Sequence, residues 1–336
     1  MSVKMLKEEI KKNNLKNLYI FYGEEEYLKK YYIEKIEDII LKDDVTNLNK
    51  IVLDGNAEVD KIIEACETMP VFSQQKLVVV KKSGKFNKKG GSKSKSSEND
   101  QLSKYLENVP PYTCLIFYEE SIDKRLKIVG SIKKNGLLVE FSYSKQPDLV
   151  KWVIKVLKSY KKRIDLNTAS YLVSISEPGM VEILNEIEKL VSFLGEKENV
   201  EIKDIDKVCT KSIKSRIFDL VDAVAEKKIN IALKLLNDMI MLKEPLPKIL
   251  FMIARQLRLI LQMKLLCNDG LDKKAACSKM KITPYVGNKI YSQARSLSTD
   301  KVKDGMKEAM ELDLAIKTGK INDRIATEIL IYKLAE

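Results

Sequence analysis

The sequence predicts an α/β domain built on a parallel sheet, followed by a part made only of helices. In the first 143 residues, five short runs rich in β-branched and aromatic residues alternate with stretches of helical periodicity. No convincing strand follows Lys145, although helical periodicity continues almost to the end of the chain. Strands that alternate with helices form parallel sheets with helices on both faces. We therefore expect an α/β plus all-α protein.

The length and composition fit several globular domains. The chain has 336 residues, of which 45% are hydrophobic, and this length exceeds one ordinary domain. We expect an α/β domain over 1–143, a small helical domain over 144–210 and a larger helical domain over 211–336. No apolar run approaches the ~20 residues that cross a bilayer, and the N-terminus lacks a signal-peptide core. These features predict a cytoplasmic protein without a membrane partner.

The elements follow one another in a regular order. The predicted strands span 18–22, 50–53, 77–80, 114–118 and 137–141. Helical periodicity follows the first two strands, over 27–41 and 59–69. The second part contains predicted helices over 148–160, 166–176, 180–195, 202–209, 272–280, 284–296, 300–318 and 322–333, and another that begins at Leu246.

The stretch before the third strand combines a helix breaker with large apolar side chains. Pro70 follows Met69 and ends the preceding helix, because the proline ring excludes the turn before it. Val71 and Phe72 should therefore lie on a corner above the third strand. They either form a plug for an apolar pocket of a partner or fold back onto the core of the first domain.

The junction of the first strand and the first crossover helix has the spacing of a phosphate loop without its chemistry. In the pattern Gly-x-x-x-x-Gly-Lys-Ser/Thr, the second glycine exposes backbone amides to the phosphates and the hydroxyl holds Mg²⁺. Here Gly23 and Lys29 are kept, but Leu28 and Lys30 replace the glycine and the hydroxyl residue. Three glutamates in the turn would also repel a triphosphate. We expect a degenerate phosphate loop.

Other catalytic chemistry has little support in the sequence. The chain has no histidine, which removes the usual general base and the commonest zinc ligand. Its five cysteines are scattered without a Cys-x-x-Cys pair, as expected of reduced core residues. The pair Glu119 and Glu120 follows the fourth strand and could mimic metal-binding carboxylates. Because the phosphate loop is incomplete, we expect no catalytic residue, no metal and no cofactor.

A lysine-rich segment separates the third and fourth strands. Residues 81–95 contain seven lysines and no acidic residue, and the net charge of the chain is +12. Glycine, serine and lysine leave such a segment nothing to bury, so we expect a mobile loop. The loop could follow a DNA backbone or be a solvated insertion, since Phe86 alone interrupts the lysines for base stacking. Lysine richness indicates either a polyanionic partner or genomic bias.

Four sequence stretches resemble one family when they are taken in order. They are Tyr-Ile-Phe-Tyr-Gly-Glu-Glu-Glu-Tyr-Leu at 19–28, Met-Pro-Val-Phe-Ser-Gln-Gln-Lys-Leu-Val-Val-Val at 69–80, Ile-Ala-Arg-Gln-Leu-Arg-Leu-Ile-Leu at 253–261 and Asp-Leu-Ala-Ile-Lys-Thr-Gly-Lys-Ile at 313–321. With the order of domains, they resemble the delta subunit of the bacterial DNA polymerase III clamp loader.

This resemblance implies an AAA+-like first domain, a small helical lid and a helical collar for oligomerisation. It implies a subunit that binds the sliding clamp and opens one ring interface without hydrolysing ATP itself. The clamp contact of the family falls here on Val71 and Phe72, with Met69 and Pro70 beside them. Partners would be the clamp, the ATPase and delta-prime subunits, and primed DNA through the complex. On the collar, Arg255 and Arg258 could contact a neighbouring subunit or form surface salt bridges.

Two other classes of function compete with this interpretation. The predicted helices over 272–280 and 284–296 flank Ile282-Thr283-Pro284 and resemble a helix-turn-helix, with Lys289 and Arg295 as basic residues. Alternatively, they form a helical pair within the collar, since Val286 and Ile290 alternate with the basic residues. An ATPase is the third class, and the altered phosphate loop opposes it.

Overall fold

A computed structural model of the chain describes residues 2–42, 44, 48–87, 93–282 and 284–336. Contacts divide the chain into two compact units. The first contains residues 1–144 and the short segment Gly179–Val181, and the second contains Lys145–Pro178 and Glu182–Glu336. The predicted boundaries at 143 and 210 stay predictions.

The first unit contains one five-stranded sheet in which all neighbouring strands are parallel. Its spatial order is β2-β3-β4-β1-β5. The strands are β1 (Leu18–Tyr22), β2 (Lys50–Asp54), β3 (Lys76–Lys81), β4 (Thr113–Tyr118) and β5 (Leu137–Glu140). All five predicted strands are confirmed, because a strand buried on both faces is a continuous apolar run that stands out in a sequence.

Helices cover both faces of the sheet. They are α1 (Ser2–Lys11), α2 (Glu26–Ile40), α3 (Val59–Glu67), α4 (Lys93–Tyr105) and α5 (Lys127–Asn135). Tyr19 and Phe21 of β1 pack with α1 and α2, whereas Leu18 and Ile20 pack with α3, α4 and α5. This alternation follows from the two-residue period of a strand. The predicted parallel-sheet fold is thus confirmed.

The lysine-rich segment differs from the predicted mobile loop at both of its ends and at Phe86. Lys81 belongs to β3 and Lys93 begins α4, while residues 88–92 lie outside the described residues. Phe86 is fully buried, and its ring meets that of Phe117 edge-on at a centroid distance of 4.9 Å. The expectation that the segment buries nothing is therefore wrong, and Phe86 is not available for base stacking.

The second unit is helical throughout its described part. Its helices are α6 (Gln146–Ser159), α7 (Leu166–Ile175), α8 (Met180–Leu194, whose first two residues group with the first unit), α9 (Ile202–Val208), α10 (Ile213–Ala225), α11 (Ile229–Met241), α12 (Leu246–Asn268), α13 (Lys273–Lys279), α14 (Pro284–Ser296), α15 (Thr299–Lys317) and α16 (Asp323–Ala335). Helices α10 to α16 share one core around α12, whose buried stripe includes Ile253, Leu257 and Ile260.

The sequence expectation about the cysteines has a structural counterpart. All five cysteines are free thiols, and four of them are buried. Burial raises the pKa of the Cys66 thiol to about 12, as expected for an inert core residue. Among the described residues, no helix combines the length and apolarity that a membrane span requires.

Candidate functional site

The corner between α3 and β3 exposes three large apolar side chains. Helix α3 ends at Glu67, two residues before the predicted end, because the residues ahead of Pro70 take up extended rather than helical geometry. Phe72 is 95% exposed, Met69 is 74% exposed and Val71 is 40% exposed. Of the two alternatives for Phe72, the structure therefore agrees with a side chain that is exposed to solvent and not with one that packs in the core of the first unit.

The backbone at the corner is strained at Phe72 and fixed on its N-terminal side. Phe72 has a φ of 52°, in the left-handed region that costs a bulky residue about 1–2 kcal/mol. Next to it, Val71 exchanges two hydrogen bonds with the side chain of Asn49. The Val71 amide donates to Asn49 Oδ1 at 2.7 Å, and Asn49 Nδ2 donates to the Val71 carbonyl at 2.8 Å.

The chain enters the corner from the C-terminus of α3, whose last carbonyls are held by side chains from the sheet. Thr113 Oγ1 donates to the Cys66 carbonyl at 2.8 Å, and the Tyr112 hydroxyl donates to the Glu67 carbonyl at 2.9 Å. The ammonium of Lys76, a residue that is 2% exposed, donates to the Thr68 carbonyl. These bonds satisfy carbonyls that a helix C-terminus leaves without intrahelical partners, and the cation opposes the negative end of the helix dipole.

At the degenerate phosphate loop, two backbone amides of the turn donate hydrogen bonds to carbonyl groups of this chain. Gly23 donates to the Glu120 carbonyl at 3.1 Å, and Glu25 donates to the Phe141 carbonyl at 2.9 Å. Gly23 has a φ of 115°, and a Cβ there would lie 2.3 Å from the Phe141 carbonyl oxygen. The glycine is thus required by the close approach of the chain after β5. Leu28 is half-buried against the core of this unit, and Lys30 is exposed.

Lys29, at the position of the phosphate-binding lysine, is buried and paired inside the chain. Its ammonium lies 2.7 Å from a carboxylate oxygen of Glu26, donates to the Glu119 carbonyl at 3.1 Å and lies 4.5 Å from the centroid of the Tyr118 ring. The Tyr118 hydroxyl also donates to Glu26. Burial acts to raise the pKa of Glu26, but hydrogen bonds from Lys29 and Tyr118 lower it overall. The lysine charge is therefore already neutralised.

The two glutamates after β4 point to different partners. Glu119 is buried and accepts hydrogen bonds from the Ser83 amide at 2.9 Å and the Ser83 hydroxyl at 2.6 Å. Burial raises the pKa of its carboxyl, against the effect of the Ser83 bonds. Glu120 is exposed and pairs with Lys82 at 3.1 Å. Across the described ranges, no group of three or more Cys, Asp or Glu side chains could hold a metal ion.

The two arginines predicted to contact a neighbouring subunit lie on the solvent side of α12. Arg255 and Arg258 are both exposed, opposite the buried stripe of the helix. Neither guanidinium has a carboxylate within 4 Å among the residues that the structure describes, so they do not form the surface salt bridges considered as an alternative. In the described part of the chain, the positive charges of Arg255 and Arg258 are therefore not paired with a carboxylate.

The helices proposed as a helix-turn-helix pack into the core of the second unit. Helix α14 packs on α10, α12 and α13, and its Ile290 is fully buried. Gln293 is buried as well and links Gln256 to Asp222 through hydrogen bonds of 2.6 Å each. Thr283, in the turn between the helices, lies outside the described residues. This packing favours the helical pair within a bundle over a helix free to enter a DNA groove.

Comparison with known proteins adds matches over most of the chain. The family model described as DNA polymerase III, delta subunit matches residues 19–142, and that of the DNA polymerase III delta subunit, C-terminal domain matches residues 214–334. The chain belongs to the family of DNA polymerase III delta subunits. The DNA polymerase III subunit delta of Bacillus subtilis is 26% identical over 330 residues, which cover 97% of this chain and 94% of that protein.

Further relatives of this delta-subunit chain agree with that assignment. The probable DNA polymerase III subunit delta of Aquifex aeolicus is 27% identical over 233 residues, or 66% of this chain and 63% of that one. The solved structure of the Bacillus subtilis DNA clamp loader delta protein has a TM-score of 0.55 at 24% identity, with 99% of each chain covered. That structure shares the fold of a parallel sheet followed by helices.

Two residues of the corner were not predicted from the delta-subunit sequence. Asn49 precedes an edge strand and lies outside the four family-like stretches, whereas Lys76 begins β3 within the stretch at 69–80, where the sequence alone indicates no role for it. Both nevertheless hold the backbone that carries Val71 and Phe72. The one available indication was that Lys76 precedes the apolar run at 77–80, and this pattern does not distinguish a buried lysine from an exposed one.

Proposed function

We propose that this protein is the delta subunit of a replicative clamp loader, and that the corner at Met69, Pro70, Val71 and Phe72 binds the sliding clamp. In this proposal the subunit opens one interface of the ring so that the clamp can be loaded on primed DNA. The exposed ring of Phe72 is the observation that carries the proposal. A side chain this apolar is rarely left in water at a fixed, strained corner unless a partner covers it.

The same proposal assigns no ATP hydrolysis to this subunit. Lys29 is buried and paired with Glu26, and the turn amides at Gly23 and Glu25 already have carbonyl partners. A triphosphate would have to displace these contacts and meet three glutamates. The energy for loading would come from ATPase subunits, joined with a delta-prime subunit through the helical collar. We place this assembly in the cytoplasm.

The clamp contact can be tested by one substitution with two measurements. Phe72→Ala should weaken binding to the sliding clamp of the same organism by about 30-fold to 1000-fold, the loss of a buried aromatic hot spot. Its thermal midpoint should stay unchanged, because the ring contributes almost nothing to the folded core. Val71→Ala should cost less, about 1–2 kcal/mol of binding free energy.

Phe86, a buried phenylalanine of the same unit, provides the matched control for the exposed Phe72. Its ring is fully buried against Phe117, so Phe86→Ala should lower the free energy of unfolding by about 3–5 kcal/mol. Surface plasmon resonance would give the clamp affinities, and thermal unfolding would give the stabilities. If Phe72→Ala bound the clamp with wild-type affinity, the corner would not be the clamp contact. The same conclusion would follow if its loss of affinity were explained entirely by unfolding of the variant.

A further inference from the structure

The corner that carries Phe72 is held by residues from two other segments. Asn49 is 2% exposed and lies directly before β2, more than 20 positions away from Val71 in the sequence. Its side chain satisfies both backbone groups of Val71. Its own backbone is fixed in turn, because its carbonyl accepts from the Leu77 amide at 2.8 Å and its amide donates to Asp44 at 2.9 Å.

A second attachment fixes the point where the chain leaves α3. The buried ammonium of Lys76 donates to the Thr68 carbonyl, and the Thr68 amide and hydroxyl both donate to the Glu64 carbonyl, at 3.0 Å and 2.7 Å. The exposed segment is therefore fixed at its two ends, Thr68 and Lys76, which are bonded to each other. It is also fixed at Val71, the residue next to Phe72, by Asn49. Within this segment the Ser73 hydroxyl also donates to the Gln75 carbonyl at 3.1 Å.

We infer that Asn49 is a positioning residue for partner binding, which holds Val71 so that Phe72 stays in its left-handed backbone conformation with the ring pointing into solvent. This inference rests on the proposed clamp contact. A free segment carrying a large apolar ring would sample many conformations, including ones in which the ring covers its own domain. Ordering such a segment only on binding lowers affinity, whereas a segment that is already ordered avoids this loss.

The test uses the full-length protein with the substitutions Asn49→Ala and Asn49→Asp. Alanine removes both bonds to Val71, and aspartate keeps the shape while replacing the donor with an oxygen that repels the Val71 carbonyl. Each should weaken clamp binding by about 10-fold to 100-fold. The control Asn87→Ala removes an exposed side-chain bridge in the same unit, from Asn87 Nδ2 to the Ser121 carbonyl at 3.1 Å, and should leave clamp affinity unchanged.

A double-mutant cycle with Phe72→Ala separates positioning from an independent contact. If Asn49 acts only through Phe72, then Asn49→Ala should cost no further affinity once the ring is gone. An additive loss would overturn the inference, as would wild-type affinity in the Asn49 variants while Phe72→Ala alone is weakened. Full affinity in Phe72→Ala would instead count against the proposed clamp contact itself.

A measurement that needs no clamp completes the test. Hydrogen exchange at the Val71 amide should be slow in the wild type, because the amide is bonded to a buried side chain, and at least about 10-fold faster in both Asn49 variants. Exchange at the Leu77 amide, which bonds the Asn49 backbone, should stay slow and shows that the sheet is intact. Unchanged protection at Val71 would overturn the inference even if a variant bound the clamp poorly.

Discussion

Lys76 combines a buried position with a charged group at the base of the corner. Its ammonium is bonded to the Thr68 carbonyl and lies near Cys66 and Glu67, and burial lowers its pKa. The Cys66 thiol has a pKa of about 12 and stays neutral over the range in which lysine titrates. The Lys76 ammonium is a desolvated cation, which a helix C-terminus and a carbonyl group stabilise.

This arrangement predicts a residue-specific pH dependence of stability. The pKa of Lys76 is lower in the folded chain than the value of about 10.4 for unfolded lysine, so the unfolded state binds more protons between these two values. The free energy of unfolding should therefore rise with pH in this window, relative to Lys76→Met. Denaturant unfolding of both proteins from pH 7 to pH 10.5 measures the difference, and parallel curves would contradict it.

At the scale of elements, the β1–α2 junction keeps the spacing of a phosphate loop but serves a structural purpose. Gly23 allows the close approach of Phe141, and Lys29 links α2 to the end of β4. The sequence predicted the loss of the second glycine and of the hydroxyl. It could not show that Lys29 is buried, because its partners Tyr118 and Glu119 lie about 90 residues away.

Because the Lys29 ammonium is already paired with the Glu26 carboxylate, we expect no ATP binding by the purified subunit. Isothermal titration with ATP and Mg²⁺ should give no binding heat at micromolar to millimolar nucleotide. The double variant Leu28→Gly, Lys30→Ser restores the sequence pattern and should still bind no nucleotide, since Glu26 continues to neutralise Lys29. Mg²⁺-dependent binding of micromolar ATP by the wild type would contradict this prediction, because it would show that ATP can displace the contacts of the Lys29 ammonium.

The strands were predictable and parts of the crossovers were not, for a physical reason. The five strands are continuous apolar runs, and burial on two faces requires this pattern. Helix α4 has a sequence dominated by Lys and Ser, with Leu102 as its described core residue, so its apolar periodicity is too weak to recognise. Phe86 and Asn49 depend on long-range contacts, with Phe117 and Val71 respectively, which local patterns do not contain.

At the scale of the whole molecule, the second unit exposes two arginines on α12. Arg255 and Arg258 are exposed and lie three residues apart, so their guanidinium groups can reach one neighbour. In the proposed loader they would donate charge-assisted hydrogen bonds to carboxylates or carbonyls of an adjacent subunit.

Reversing this charge should weaken assembly without unfolding the chain. We expect Arg255→Glu with Arg258→Glu to lower association with the ATPase subunits by at least about 2 kcal/mol, the loss of charged hydrogen bonds. Arg324→Glu is the matched control, because its guanidinium is already bonded to Glu328 and Asn237 within the chain. Co-purification and analytical ultracentrifugation would measure the association, and equal complex formation by all three proteins would exclude a role for this surface.

The short segment Gly179–Val181 groups with the first unit although the residues on either side of it belong to the second. The Met180 amide donates to the buried carboxylate of Glu25 at 3.1 Å, so the first unit is completed by a residue that the ribosome makes about 35 residues after the last of its contiguous sequence. During synthesis this unit therefore cannot finish folding when residue 144 emerges. A chimera that exchanges the unit between relatives would need three splice points rather than one.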